Sequence, residues 1–330
     1  MTKYAIIGNG GFGTAIALVL RDQGIDTVQW GHDAHYVDRV LSKRENVKYL
    51  PGVTLPKDYA ITSDAEEAVR GAAVIVNAVP TQHVRSVFEA IAPHVKARVP
   101  LLSLSKGIEV TTLMRPSQVL RDLLPSSSVA VLSGPSHAEE IARKMPATVV
   151  IGGHSHLLAR KLQNALSTER FRVYTNTDPI GVELAGALKN IIAIAAGICD
   201  GLGFGDNTKA ALVTRGLVEV TRLAKRLGAR ERTFAGLAGM GDLIATAFSS
   251  HGRNRAVGEK VGKGLALKKI LADLDGVAEG VATTRSTLAL ARRHRVDMPI
   301  VREVHDILFE GKDPQDALTA LMTRSTKTEI

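Results

Sequence analysis

Short apolar runs rich in β-forming residues recur along the first half of the chain, separated by stretches whose apolar positions fall at helical spacing. The runs are 4–7, 27–30, 73–78, 100–103, 129–132, 147–151 and 171–174, and the amphipathic stretches between them include 64–70, 83–92 and 156–166. Alternation of this kind predicts a mostly parallel sheet with helices on both faces. Beyond Asp178-Pro179 the β-branched runs stop, and Ala, Leu, Gly, Lys and Arg continue at helical spacing to the C-terminus. That half should be all helix. The change predicts a boundary near residue 180, with an α/β domain over 1–180 and an all-α domain over 181–330. No linker rich in Pro or Ser intervenes, so the two should share a close interface, a setting that favours ligand sites. Residues 323–330 read as a frayed tail.

The first run, Tyr4-Ala-Ile-Ile, enters a glycine-rich turn and leaves as a helix, with Gly8, Gly10 and Gly13 in GxGxxG spacing. In such a strand-turn-helix, Gly8 permits the tight turn, Gly10 lets backbone approach a pyrophosphate, and Gly13 lets the helix pack closely on its strand. The N–H groups at the start of that helix then face the anion. This predicts a Rossmann-type doubly wound α/β fold with a dinucleotide site, against the plainer alternative of an ordinary βα turn.

Composition narrows the classes. At 330 residues the chain can bury a substantial core, and 45% hydrophobic with 23% charged residues excludes a disordered protein. Lys and Arg number 42 against 33 Asp and Glu, a net charge of +9 that suits phosphorylated ligands. Nucleic acid is not expected, because the basic residues are scattered and aromatics are 4%. With Cys199 as the single cysteine no intrachain disulfide can form, and its apolar setting predicts core packing in a cytoplasmic protein. The apolar stretch 184–198 contains Lys189 and Asn190 and falls short of the roughly 20 residues of a spanning helix, so no membrane insertion is expected.

Two isolated charges stand out in the second half. Residues 181–197 are apolar nearly all round, which marks a buried helix, and Lys189 sits in the middle of it. A lysine stripped of water has its pKa lowered toward the range where it can donate and accept protons, although a salt-bridged structural lysine fits the pattern too. Asp242 is the lone charge of the glycine-rich segment 235–247, and a buried carboxylate needs a partner. Lys189 is the economical choice for a site or for a structural ion pair. Just downstream, His251-Gly252-Arg253-Asn254-Arg255 can offer bidentate donors to a phosphate. In the first half, Lys106 and the segment Ser133-Gly134-Pro135-Ser136 each follow a strand run, at the sheet edge where doubly wound folds bind ligands.

With these pieces in order the chain resembles the NAD(P)-dependent glycerol-3-phosphate dehydrogenase family over essentially its whole length. The resemblance rests on GNGGFGTA at 8–15, ENVKYLPG at 45–52, LSKG at 104–107, SGPSHAEE at 133–140, LKN at 188–190, GLAGMGDL at 236–243, GRNR at 252–255 and VAEGV at 277–281. It implies the Rossmann-type domain followed by an all-α domain of the 6-phosphogluconate-dehydrogenase-like kind. It also implies interconversion of dihydroxyacetone phosphate and sn-glycerol 3-phosphate, feeding glycerophospholipid synthesis.

Carried over by position, the resemblance makes Lys189 the proton donor or acceptor at the substrate oxygen, with Asp242 orienting its ammonium. Lys106, Gly134, Ser136, Asn190, Gly252, Arg253 and Asn254 would hold the substrate beside them. Gly8, Gly10, Gly11, Phe12, Gly13, His32, Tyr49, Lys106, Ala138, Arg253, Val277 and Glu279 would line NADP(H) or NAD(H), and no metal is called for. Many bacterial relatives carry Ser where this chain has Gly252, which removes any hydroxyl contact there. His32, in Trp30-Gly31-His32-Asp33, leans the cofactor toward NADPH, whereas Asp33 could serve NADH. The family implies a homodimer. The alternatives are another two-domain dehydrogenase of the hydroxyacid or ketopantoate type, and a non-catalytic NAD(P)-sensing protein.

Overall fold

The computed structural model describes residues 2–250, 252–326 and 328–329. Eight strands form one sheet: β1 (Lys3–Ile7), β2 (Asp26–Trp30), β3 (Ala60–Thr62), β4 (Val74–Asn77), β5 (Leu101–Ser103), β6 (Val129–Ser133), β7 (Ala147–Gly152) and β8 (Phe171–Asn176). Their order across the sheet is β3-β2-β1-β4-β5-β6-β7-β8. All neighbours are parallel except β6 and β7, so the last two strands run against the first six. Each of the seven apolar runs became a strand. The third strand was not expected, because Ala60-Ile61-Thr62 buries only Ile61 and lies in a polar stretch, so no apolar run marks it. The reversal at β7 was not expected either, because strand patterning carries no direction.

Alternation along β1 assigns its side chains to two cores. Tyr4 and Ile6 pack on one face with Ile16 and Leu20 of α1 (Gly11–Asp22), while Ala5 and Ile7 pack on the other with Phe88 and Ile91. A third core is built around α2 (Pro179–Gly201), a 23-residue helix that begins three residues after β8. Asp178 caps it, accepting from the Gly181 N–H at 2.9 Å, and Pro179 fills the first turn where its missing N–H costs nothing. The helix is longer than the apolar stretch read from sequence and would be long enough to span a bilayer. Its apolar window is instead wholly buried within the protein.

Around α2 lie α3 (Asp206–Arg226), α4 (Asp242–Phe248), α5 (Arg253–Gly262) and α6 (Glu279–His294). The tightest crossing is that of α2 and α5, and it runs over glycines from both. A Cβ on Gly197 would strike the Arg255 carbonyl, one on Gly201 that of Glu259, and one on Gly258 that of Ile194. Paired glycines four apart on each helix therefore bring the backbones together, and the crossing fixes α5 against α2. In the tail, the last helix ends at Met322 and Arg324 reaches Asp297 at 2.7 Å, while Lys327 and Ile330 lie outside the described residues.

Candidate active site

Every ionisable or amide side chain on the buried stretch 183–190 of α2 finds a partner. The Glu183 carboxylate accepts from Arg115 Nη1 at 2.5 Å and from the Ser117 N–H at 2.7 Å. Asn190 Nδ2 donates to the Lys106 carbonyl at 2.9 Å. Lys189 Nζ donates to Asp242 Oδ1 at 2.6 Å and to the Thr246 hydroxyl. Asp242 and Thr246 are four apart on α4, so they share a face and close on the ammonium together. A π-helical turn over Leu237–Gly241, rich in glycine, leads the chain into Asp242.

The carboxylate serves a second lysine. Asp242 Oδ2 accepts from Lys106 Nζ at 2.7 Å and lies 3.4 Å from the Ser133 hydroxyl. Lys106 follows β5, and its ammonium also donates to the Gly134 carbonyl and the Ser136 hydroxyl, each at 3.1 Å, in the loop after β6. The two sheet-edge loops and the two isolated charges read from sequence thus meet at one point between sheet and helices.

Burial governs the electrostatics here. Loss of hydration, helped by the nearby Lys106 charge and opposed by that of Asp242, pushes Lys189 down to about 8. Burial alone would raise Asp242, but the ammonium groups of Lys106 and Lys189 outweigh it and hold the carboxyl below its ordinary value. The carboxylate is therefore ionised at neutral pH, while the Lys189 amine lies within reach of both protonation states.

The glycine-rich turn stands at the carboxyl end of β1. Gly8 has φ +113°, and a Cβ there would lie 2.7 Å from the Ala78 carbonyl oxygen. At Gly13 a Cβ would lie 2.6 Å from the Gly8 carbonyl, so helix and strand touch at backbone distance. Gly10 differs. A Cβ there meets nothing within 4 Å, and no side chain caps α1. Open space in front of uncapped helix N–H groups fits a pyrophosphate.

The other residues expected at a cofactor surround this turn unevenly. Gly11 packs on the Tyr49 carbonyl, and a Cβ there would lie 3.5 Å from Ala138 Cβ. The Phe12 ring lies 5.8 Å from Lys106 Nζ. His32 is exposed beyond β2, next to Asp33, whose carboxylate caps the following helix at the Tyr36 N–H, 3.1 Å. Val277 is exposed, whereas the Glu279 carboxylate accepts from the Thr81 N–H at 2.7 Å and the Lys106 N–H at 3.2 Å, tying α6 to both loops.

At the start of α5, Asn254 Oδ1 accepts from the Gly280 N–H at 3.0 Å, and the Arg253 guanidinium is exposed beside Gly276. Gly252 is the N-cap, and a Cβ there would lie 2.9 Å from the Thr246 carbonyl oxygen, so a serine would need the loop to give slightly. His251 lies outside the described residues. Sequence reasoning missed Thr246, although its spacing of four from Asp242 was a usable signal. It also missed Thr81 and the bond between Lys106 and Asp242, for which nothing local gives a sign.

Two family models cover nearly the whole chain: the N-terminal part of NAD-dependent glycerol-3-phosphate dehydrogenase matches residues 3–159 and the C-terminal part residues 178–319. The chain belongs to the NAD-dependent glycerol-3-phosphate dehydrogenase family. Among relatives of this family, the NAD(P)+ glycerol-3-phosphate dehydrogenase of Carboxydothermus hydrogenoformans is 46% identical over 99% of this chain and 98% of its own length. That of Thermobifida fusca is 48% identical over 100% of this chain and 99% of its own. The crystal structure of glycerol-3-phosphate dehydrogenase from Coxiella burnetii superposes with a TM-score of 0.95 at 36% identity, covering 98% of this chain and 99% of that one. Glycerol-3-phosphate dehydrogenases of this family thus share both the Rossmann-type sheet and the helical half.

Proposed function

We propose that this chain is an NAD(P)-dependent glycerol-3-phosphate dehydrogenase that reversibly reduces dihydroxyacetone phosphate to sn-glycerol 3-phosphate for glycerophospholipid synthesis. The observation that carries the reading is the buried Lys189 held at 2.6 Å by Asp242 where the sheet-edge loops meet the helices. The family assignment leaves the ketopantoate-type alternative without support, and retention of a proton-transferring pair argues against a sensor that does no chemistry. Residues 1–180 are read as the dinucleotide-binding domain and 181–330 as the substrate-binding domain, with α2 opening the second.

When bound, NAD(P)H supplies the hydride. The chain's own task is to manage charge at the substrate carbonyl. As the ketone is reduced its oxygen becomes negative, and the Lys189 ammonium donates a proton to it. Asp242 holds that ammonium in place, and a pKa near 8 lets the same group take the proton back in the oxidative direction. Arg253 and Asn254 grip the phosphate, so binding energy remote from the carbonyl orients the reacting carbon. Lys106, Gly134, Ser136, Asn190 and Gly252 complete the substrate wall.

Gly8, Gly10, Gly11, Phe12 and Gly13 receive the dinucleotide, with Tyr49, Ala138, Val277 and Glu279 along its length. The Asp33 carboxylate is engaged as a helix cap, which leaves exposed His32 to meet a 2'-phosphate, so NADPH is preferred with NADH also accepted. The enzyme works in the cytoplasm as a homodimer, of twice the 35.2 kDa chain mass. The decisive experiment follows NADPH absorbance on adding dihydroxyacetone phosphate. Decay dependent on that ketone is expected, and no decay with either NADPH or NADH overturns the reading.

A further inference from the structure

Arg255 lies two residues beyond Arg253, and the sequence offers both to a phosphate on equal terms. The fold separates them. The Arg255 guanidinium is spent on internal acceptors: Nε donates to the Ser249 carbonyl at 2.9 Å, Nη1 to Asp200 Oδ2 at 2.5 Å, and Nη2 lies 3.3 Å from the Glu259 carboxylate. Asp200 stands in the last turn of α2 and is held from the other side by Lys209 of α3, whose Nζ donates to its two oxygens at 2.7 and 2.9 Å. Ser249 is the C-cap residue that follows α4. One planar fork therefore joins the end of α2, the exit of α4 and the first turn of α5.

The glycine crossing fixes the α5 backbone against α2 from Arg255 onward, where Gly197 meets the Arg255 carbonyl, but it holds neither Ser249 nor Gly252, Arg253 and Asn254 ahead of that point. Ser249 closes the helix carrying Asp242 and Thr246, and Gly252 opens the one carrying Arg253 and Asn254. We propose that Arg255 is the positioning residue of the phosphate grip: it sets where Arg253 and Asn254 stand relative to Lys189 without touching the substrate. The inference rests on the reading of Arg253 and Asn254 as phosphate ligands. Lysine could not replace it fully, since a single ammonium cannot span acceptors that a guanidinium reaches from three edges.

The test compares Arg255→Gln, Arg255→Lys and Asp200→Asn with Arg253→Ala in steady-state reduction of dihydroxyacetone phosphate by NADPH, with thermal melts alongside. Arg255→Gln is expected to raise KM for dihydroxyacetone phosphate about tenfold, the size of one lost charge-assisted hydrogen bond, with kcat and KM for NADPH within about twofold. Arg255→Lys falls between, and Asp200→Asn gives the same split from the other side of the contact. A raised KM in Arg253→Ala beside an unchanged one in Arg255→Gln overturns this inference alone. An unchanged KM in Arg253→Ala overturns the phosphate reading and this inference with it. Parallel losses in kcat and both KM values, tracking a lower Tm, reduce Arg255 to a structural residue and also overturn it. Should Arg255→Gln not fold, Arg255→Lys and Asp200→Asn carry the comparison.

Discussion

Asp242 holds Lys189 through one carboxylate oxygen, at 2.6 Å, and gives the other oxygen to Lys106 at 2.7 Å. Two ammonium groups share one carboxylate, so this triad carries a surplus of positive charge, offset in part by the Glu279 carboxylate that accepts from the Lys106 N–H. A phosphorylated ketone brings negative charge, and its reduction adds more at the carbonyl oxygen. The surplus is therefore of the sign that the bound substrate and its transition state need.

Removing the amine tests its part in proton transfer. Lys189→Ala should lower turnover at least ~100-fold, in line with loss of a general acid, while NADPH affinity measured by fluorescence titration stays within about twofold. Near-normal turnover in this variant would take lysine out of the mechanism.

The pH profile follows from a group pushed down to about 8. The reduction needs the protonated amine, so kcat/KM should be level below that pH and fall above it, by about tenfold per unit. The oxidation needs the neutral amine and should rise by about tenfold per unit below that pH and level above it. Asp242→Asn removes the charge that favours the ammonium, so the break should move toward lower pH. A reduction rate flat from pH 7 to pH 10, on the order of three units, contradicts the assignment.

Phosphate recognition is separable from chemistry on the carbonyl. Arg253→Ala should cost about tenfold or more in kcat/KM with dihydroxyacetone phosphate but little with unphosphorylated dihydroxyacetone, because only the first offers the anion. Equal losses with both ketones would mean that Arg253 serves something other than the phosphate.

Two glycines should respond oppositely to the same added methyl group. Gly258→Ala drives a Cβ into the Ile194 carbonyl at the α2/α5 crossing and should destabilise the protein by roughly 1–3 kcal/mol, read as a lower Tm. Gly10→Ala points into open space and should leave Tm unchanged while weakening NADPH binding. A Gly10→Ala protein with intact cofactor affinity would place the pyrophosphate elsewhere.

Cofactor choice is read from kcat/KM for NADPH against NADH. A moderate preference for NADPH is expected, reduced by His32→Ala through the loss of a partner for the 2'-phosphate. A strong NADH preference in the unaltered protein refutes the role given to His32.

Much of this was legible in the chain alone. Seven strands, the glycine turn after β1 and the all-helical second half follow from periods of two and 3.6 and from where glycine is placed, all of which are local. Lys189 and Asp242 were conspicuous because a lone charge in an apolar segment must be answered somewhere. What local pattern does not carry is which answer is found. Lys106 and Asp242 lie 136 residues apart and meet only because a sheet-edge loop faces the start of α4. Nothing in GRNR tells Arg253 from Arg255. The fold turns one outward and binds the other to Asp200, since neighbouring positions on a helix point about 100° apart per residue and face different surroundings. The sequence by itself determined the elements, the core and the residue types available for chemistry. Tertiary structure alone decided the partners, because burial and charge pairing depend on distances through space that the chain order does not set.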